Sequence, residues 1–242
     1  MPAESGALAG KVAIVSGGSG AIGTAILDAF DPMGVRAISF DLSRPSENHR
    51  WVKCDIREDN SVAAAVDSVY QTEGRIDLVI HAAGISRDSV LWKMTVEDWD
   101  SVQAVNLRGA FLLIRHALPL LRRGSSGRIV LIGSINGSRG KFGTSAYSAS
   151  KAGLIGLAKS LAREVGRFGI LVNVVEPGWV RTPLTEVVPQ AVKDAALAES
   201  VLGSFPDPAD VAASVVFLCG PGANRITGQI LRVDGGQLLG GT

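Results

Sequence analysis

Short apolar runs separated by helical stretches constrain this chain more than any other feature. Val12 to Ser16, Val35 to Phe40, Trp51 to Cys54, Ile76 to Ile80, Arg128 to Ile132, Leu171 to Val175 and Gln229 to Val233 each have the length of a strand. Helical patterns occupy Ile22 to Phe30, the stretch from about Asp59 through Tyr70, Val96 to Arg123, Tyr147 to Arg167, Gln190 to Leu202 and Asp210 to Leu218. A strand, a helix and a second parallel strand close as a right-handed crossover over one face of the sheet. The alternation therefore predicts a doubly wound α/β parallel sheet with helices on both faces. At 242 residues the expectation is a single domain, 1–242, with 183–205 as a mobile lid.

In such a sheet ligands bind beyond the carboxyl ends of the strands. After Val12 to Ser16 comes Gly17-Gly18-Ser19-Gly20-Ala21-Ile22-Gly23. Glycines there let backbone amides approach a pyrophosphate, which the positive end of the following helix attracts. About twenty residues on, Asp41 ends the second strand, where a carboxylate accepts hydrogen bonds from both ribose hydroxyls of an adenosine and repels a 2′-phosphate. That favours NAD(H). Arg44 nearby is the counter-signal, a receptor for the phosphate of NADP(H). Asp55 ends the third strand, placed either to meet the adenine amino group or to cap the next helix. His81-Ala82-Ala83-Gly84, Gly133-Ser134 and Pro177 to Thr182 also follow strands, so they gather on the same edge.

Tyr147 and Lys151 stand four apart at the head of a helical stretch, which puts phenol and ammonium on one face. A fixed cation favours the phenolate and lowers a tyrosine pKa, making Tyr147 a proton donor or acceptor. Asn106 is a polar interruption in an otherwise apolar helical face formed by Val102, Val105, Ala110, Leu113, Ile114 and Leu118. Lys plus Arg (24) balances Asp plus Glu (23), which gives no footprint for nucleic acid or an anionic membrane and leaves a small molecule or a protein as partner. No apolar run reads as a membrane span, and Met1 to Gly10 shows no targeting pattern, so the expected location is cytoplasmic. The two cysteines, Cys54 and Cys219, lack metal or redox spacing and read as buried small hydrophobes.

The ordered set SGGSGAIG, Asp41, Asp55, HAAG, Asn106, Ser134, YSASK, EPGWVRTP and VDGG resembles the classical short-chain dehydrogenases/reductases over nearly the whole chain. HAAGISRDSVLWKM, SINGSRGKFGTSAYSASKAG and ITGQILRVDGG are most similar to the 3-oxoacyl-thioester reductases, which act on acyl carrier protein or coenzyme A substrates. The resemblance implies a Rossmann-type dinucleotide-binding fold and a catalytic set of Asn106, Ser134, Tyr147 and Lys151. Tyr147 is then the acid for ketone reduction and the base for alcohol oxidation. Lys151 holds nicotinamide-ribose hydroxyls and biases Tyr147, Ser134 bonds the substrate oxygen, and Asn106 kinks a helix and holds a water leading to Lys151. The implied cofactor contacts are Gly17, Ser19, Ala21, Ile22, Gly23, Asp41, Asp55, Ile56, Ala83, Gly84, Pro177, Gly178, Val180 and Thr182, with Tyr147 and Lys151. Thr182 receives the carboxamide.

Some positions depart from the pattern. Ser16 stands for the usual Thr, Ala21 for a frequent glycine, requiring negative φ there, and His81 for the common Asn. Asp41 departs most, because many thioester reductases of this kind use NADPH. Ile85, Ile135, Phe142, Trp179 and Leu184 are candidates for the apolar substrate wall, and Arg122, Arg123, Arg128 and Arg167 for a basic patch meeting an acidic carrier protein. The expected activity is interconversion of a secondary alcohol and a ketone, with a polyol, cyclic alcohol or steroid-like substrate as the alternative to a thioester. A nucleotide-sensing module without turnover is the reading from another class. The family usually pairs its two long helices, so a homotetramer is expected.

Overall fold

The computed structural model describes residues 6–124, 126–186 and 188–240, the side chains of Pro183 and Leu184 excepted. Seven strands form one sheet in the order β3-β2-β1-β4-β5-β6-β7: β1 Val12–Ser16, β2 Arg36–Asp41, β3 Arg50–Lys53, β4 Leu78–His81, β5 Arg128–Ile132, β6 Leu171–Pro177 and β7 Ile230–Val233. Every pairing is parallel. All five residues of β1 are buried because both faces of the strand are covered. Successive side chains alternate between the faces, so Val12 and Ile14 join one core while Ala13 and Val15 join the other.

The first core lies under α2 (Asp59–Glu73), α4 (Gly109–Leu121) and α6 (Ser145–Val165), with Val66, Leu113 and Leu154 packed on Ile129 and Leu131. The second lies under α1 (Ala21–Phe30) and α9 (Pro208–Cys219), where Ile26, Phe30, Val211 and Val215 meet Ile80 and Val130. Full burial of such a side chain is worth roughly 1.5–3 kcal/mol. Cys54 and Cys219 are free and buried; burial pushes their thiols up to about 11 and about 12, which makes both unreactive packing groups.

Chain order reverses between β1, whose crossover leads to β2, and β4 on its other side. The loops after β1 and β4 therefore diverge and open a crevice. A positive-φ turn ends α2: Gly74 has φ 72 and its N–H bonds the Tyr70 carbonyl.

Several elements differ from the sequence expectation. A helix lies where no helical pattern was read, because Ser134 accepts a bond from the Asn136 N–H and starts the single-turn helix α5 (Ile135–Arg139). The long helical region is interrupted: α3 (Val96–Gln103) passes through a π turn, Ala104–Arg108, into α4. By length and apolarity Val96–Leu121 also qualifies as a membrane span, with a hydropathy of 1.2, contrary to expectation. Its apolar face instead supplies Ala110, Leu113 and Ile114 to the first core, and Val102 is buried as well. A short helix α7 (Pro183–Glu186) precedes α8 (Gln190–Ala198), which is shorter than its pattern suggested.

Candidate active site

The glycine loop is shaped by contacts that admit no side chain. Gly17 has φ 72, and a Cβ there would lie 2.5 Å from the backbone of Ala83. At Gly23 an added Cβ would lie 2.1 Å from the Gly17 carbonyl oxygen, so helix and turn touch through bare backbone. Gly20 stands at the N-cap of α1 without a side-chain cap, and Ala21 begins the helix, all non-glycine residues described having negative φ. This is a cradle for a pyrophosphate: uncapped helix-terminal amides, the positive end of a helix dipole and no side chain in the way. A dinucleotide fits it. Gly23→Ala is expected to weaken cofactor binding and lower stability by about 1–3 kcal/mol, measured by NADH titration and urea unfolding.

Asp41 reaches the same loop, its Oδ2 accepting from the Ser19 N–H at 3.1 Å and its Oδ1 from the Leu42 N–H at 2.7 Å. Arg44 is turned to Glu47, bonding its carboxylate at 3.1 Å and its carbonyl at 3.0 Å. Asp55 does not cap the next helix. The Arg57 guanidinium grips it at 2.9 and 2.7 Å and holds its carboxyl below the usual range, while Glu58 is the N-cap of α2 and makes no side-chain cap bond. Ile56 is a buried packing residue that a Cβ on Gly109 would meet at 2.9 Å.

A cleft of about 800 Å³ runs from this loop across the carboxyl ends of the strands. It brings together Gly17, Ser19, Ala21, Ile22, Gly23, Gly84, Ser134, Tyr147, Lys151, Pro177, Gly178, Val180 and Thr182. Asp41, Asp55, Ile56 and Ala83 lie outside its lining, as does Asn106, which is fully buried. Asn106 is thus not at the surface of the cleft. Its side chain works as a latch: Oδ1 accepts from Ile85 N–H at 2.8 Å, and Nδ2 donates to Ile85 O at 3.0 Å and to Ser150 Oγ at 2.9 Å.

Helix α6 begins at Ser145, so Tyr147 and Lys151 sit one turn apart in its first turns. Lys151 is 3% exposed and its Nζ donates to Ile132 O at 2.8 Å, 5.5 Å from the centre of the Tyr147 ring. Burial brings its pKa down to about 8, so the ammonium is still largely charged near neutrality. Tyr147 departs from expectation: burial pushes its phenol up, the neighbouring Ser134 hydroxyl pulls it back only in part, and Asp88 adds to the rise. Desolvation by burial is the largest cause of that rise. Ser134 is itself buried at the end of β5, with its hydroxyl in the same cleft.

Beyond these groups the cleft has apolar residues together with polar ones such as Asp88, Arg139 and Lys141. Ile85, Ile135, Phe142 and Trp179 line it as expected, while the side chain of Leu184 lies outside the described residues. Phe142 is 84% exposed at the mouth, and Trp179 stacks on Phe205 with centroids 5.6 Å apart. Segment 183–205 is tied down by Glu199, which receives Arg139 Nη1 at 2.8 Å and Gln237 Nε2 at 3.0 Å. Gln237 also accepts from the Trp179 N–H at 2.9 Å. The sequence offered no signal for this tie, since its members lie on separate elements. Of the four arginines read as a patch, Arg128 is buried and bonded to Asn224 Oδ1 at 2.6 Å, so it is unavailable to a partner. Arg122 and Arg167 both lie over the Phe168 ring.

The family model described as enoyl-(acyl carrier protein) reductase matches residues 20–237. A 3-oxoacyl-(acyl-carrier-protein) reductase of Thermotoga maritima is 35% identical over 245 residues, 96% of this chain and 99% of that protein. An acetoacetyl-CoA reductase of Acinetobacter is 35% identical over 243 residues, 95% of this chain and 98% of that protein. Among solved structures, ligand-free aldohexose dehydrogenase of Thermoplasma acidophilum superposes with a TM-score of 0.91 at 30% identity, over 96% of this chain and 95% of that one.

Proposed function

This chain belongs to the short-chain dehydrogenase/reductase family of nicotinamide-dependent oxidoreductases, and from that premise we propose that it interconverts a secondary alcohol and a ketone with NAD(H), its substrate a 3-hydroxyacyl/3-oxoacyl thioester. The observation that carries the chemistry is the convergence of Ser134, Tyr147 and Lys151 on one cleft with the glycine cradle. Bound there, the cofactor supplies or accepts the hydride. Tyr147 passes a proton to the substrate oxygen in reduction and takes it back in oxidation. Ser134 donates a hydrogen bond to that oxygen as charge develops on it. Lys151 holds the ribose next to the reacting centre and stabilises the phenolate left behind. Gly17, Ile22 and Gly23 would hold the pyrophosphate, and Pro177, Gly178, Val180 and Thr182 would hold the nicotinamide end.

The thioester reading is supported by the activities named for the relatives, and by an apolar cleft wall suited to an acyl chain. The sugar substrate named for the solved neighbour supports a polyol or cyclic alcohol as the second reading. Assays with acetoacetyl-CoA beside a panel of sugars and cyclic ketones separate the two. Thioester turnover is expected, and its absence beside good ketone turnover sinks the first reading.

NAD(H) is supported by Asp41, which stands against the glycine loop, and by Arg44, which is occupied with Glu47. A carboxylate at the adenosine ribose gains charge-assisted bonds of about 1.5–3 kcal/mol with two hydroxyls and loses them to a 2′-phosphate. Asp41→Ala should therefore narrow the preference for NADH over NADPH about tenfold, read as the ratio of kcat/KM values. An unchanged ratio would move the determinant elsewhere. The active form is proposed as a cytoplasmic homotetramer of single-domain protomers, each with 183–205 as its lid. Exposed Leu91, Trp92, Val96 and Phe111 support burial of the α3–α4 face against another copy, and light scattering tests it.

A further inference from the structure

We propose that His81 is a positioning residue for the Tyr147–Lys151 pair: its imidazole pins the π turn at Asn106 to the sheet, and through Asn106 fixes the floor beside which Lys151 lies. The proposal rests on the catalytic reading given above. His81 ends β4 and is 0% exposed, with both ring nitrogens engaged: Nδ1 is 2.9 Å from Ser16 Oγ on β1, and Nε2 is 3.1 Å from the Asn106 carbonyl oxygen. A carbonyl only accepts, so Nε2 carries the ring proton and Nδ1 accepts from the Ser16 hydroxyl. Burial, reinforced by the Lys151 charge, brings the imidazole pKa down to about 3. The ring is therefore neutral throughout the working range and carries no proton in turnover. What it contributes is geometry.

The site of contact explains why geometry matters. In the π turn the Gly109 N–H reaches back to the Ala104 carbonyl, one residue further than in an α-helix, so the ladder is locally shifted. A donor from the sheet gives the Asn106 carbonyl a fixed partner inside this widened turn. On its other side the Asn106 amide holds Ile85 and Ser150, and Ser150 Oγ donates to the Tyr147 carbonyl at 2.7 Å. The connection thus runs Ser16, His81, Asn106, Ser150, Tyr147, from the centre of the sheet to the turn bearing the phenol. Gly84 is squeezed between the two groups at stake: a Cβ there would lie 3.3 Å from Lys151 Nζ and 3.5 Å from Asn106 Oδ1. The bonded route from Asn106 to the catalytic pair therefore runs through Ser150 to the Tyr147 carbonyl.

His81→Phe keeps the ring volume and removes both bonds, whereas His81→Gln restores an amide donor at similar reach. The expected result is a fall in kcat of about tenfold for His81→Phe, with KM for ketone and for NADH within about twofold, and recovery of most of that loss in His81→Gln. A residue that only filled the core would lower the melting temperature and leave kcat intact. A folded His81→Phe with parental kcat overturns the proposal, and so does a KM that rises in step with the loss. Should His81→Phe not fold, Ser16→Ala leaves the imidazole in place without its second anchor. It is expected to lower kcat about threefold at constant KM, and an unchanged kcat overturns the proposal. Tyr147→Phe assayed alongside separates the two levels. If it turns over normally the catalytic reading has failed; if it is inactive while His81→Phe keeps parental kcat, only the positioning role has.

Discussion

Tyr147→Phe is expected to leave a folded, NADH-binding protein whose kcat has fallen by about 10²–10⁴-fold, the range that a positioned proton donor contributes. The substitution is conservative for the fold. The local bond at this position ends on the Tyr147 backbone carbonyl, which receives Ser150 Oγ, and phenylalanine retains both that carbonyl and the ring over which Lys151 lies. What it removes is the hydroxyl that shares the cleft with Ser134. Burial holds this phenol above its ordinary range, so it does not ionise before substrate arrives. It then gives up its proton only to an oxygen made basic by hydride addition, or takes one from an alcohol once Lys151 supports the phenolate. Steady-state assays with acetoacetyl-CoA and NADH, beside NADH titration of the variant, check both halves. Unchanged conversion would show that catalysis does not run through this phenol.

Much of this arrangement is legible in the sequence because it depends on local rules. Strands buried on both faces read as continuous apolar runs, hence β1, and the glycine loop is legible because backbone contact at Gly17 and Gly23 excludes every side chain. Tyr147 and Lys151 are legible because helical spacing alone puts them together. What is hidden is whatever depends on a partner distant in the chain. That Lys151 would be desolvated to a pKa of about 8, and Tyr147 raised rather than lowered, follows from how deeply the head of α6 is buried, which spacing does not report. Asp55 misleads as a helix cap for the opposite reason, since a neighbour two residues away, Arg57, claims its carboxylate and Glu58 takes the N-cap of α2. The role of His81 is hidden for the same reason as the Glu199 tie: its partners, Ser16 and Asn106, come from separate elements. Only the departure from the common Asn marked the place.

Lys151→Met is expected to lower kcat/KM by about two orders of magnitude and to remove the alkaline limb of the pH profile. At 5.5 Å from the phenol ring, a unit charge in a protein medium of effective dielectric about 20 stabilises a phenolate by about 3 kcal/mol, a factor of roughly 150 in rate. The sign of the pH effect follows from the direction of the lysine shift. Burial lowers its pKa to about 8, so the ammonium is charged below that value and neutral above it; the support it gives the phenolate is present at lower pH and lost as pH rises through about 8. Because kcat/KM reports groups of the free enzyme, the parent profile should decline above pH 8 while the low activity of Lys151→Met stays flat there. KM for NADH should rise as well, since the same ammonium holds the ribose. A decline near pH 8 that persists in the variant would assign that limb to another group. With Tyr147 held above the ordinary tyrosine range, the limb would then need a new titrating residue and the lysine would be reduced to a cofactor anchor.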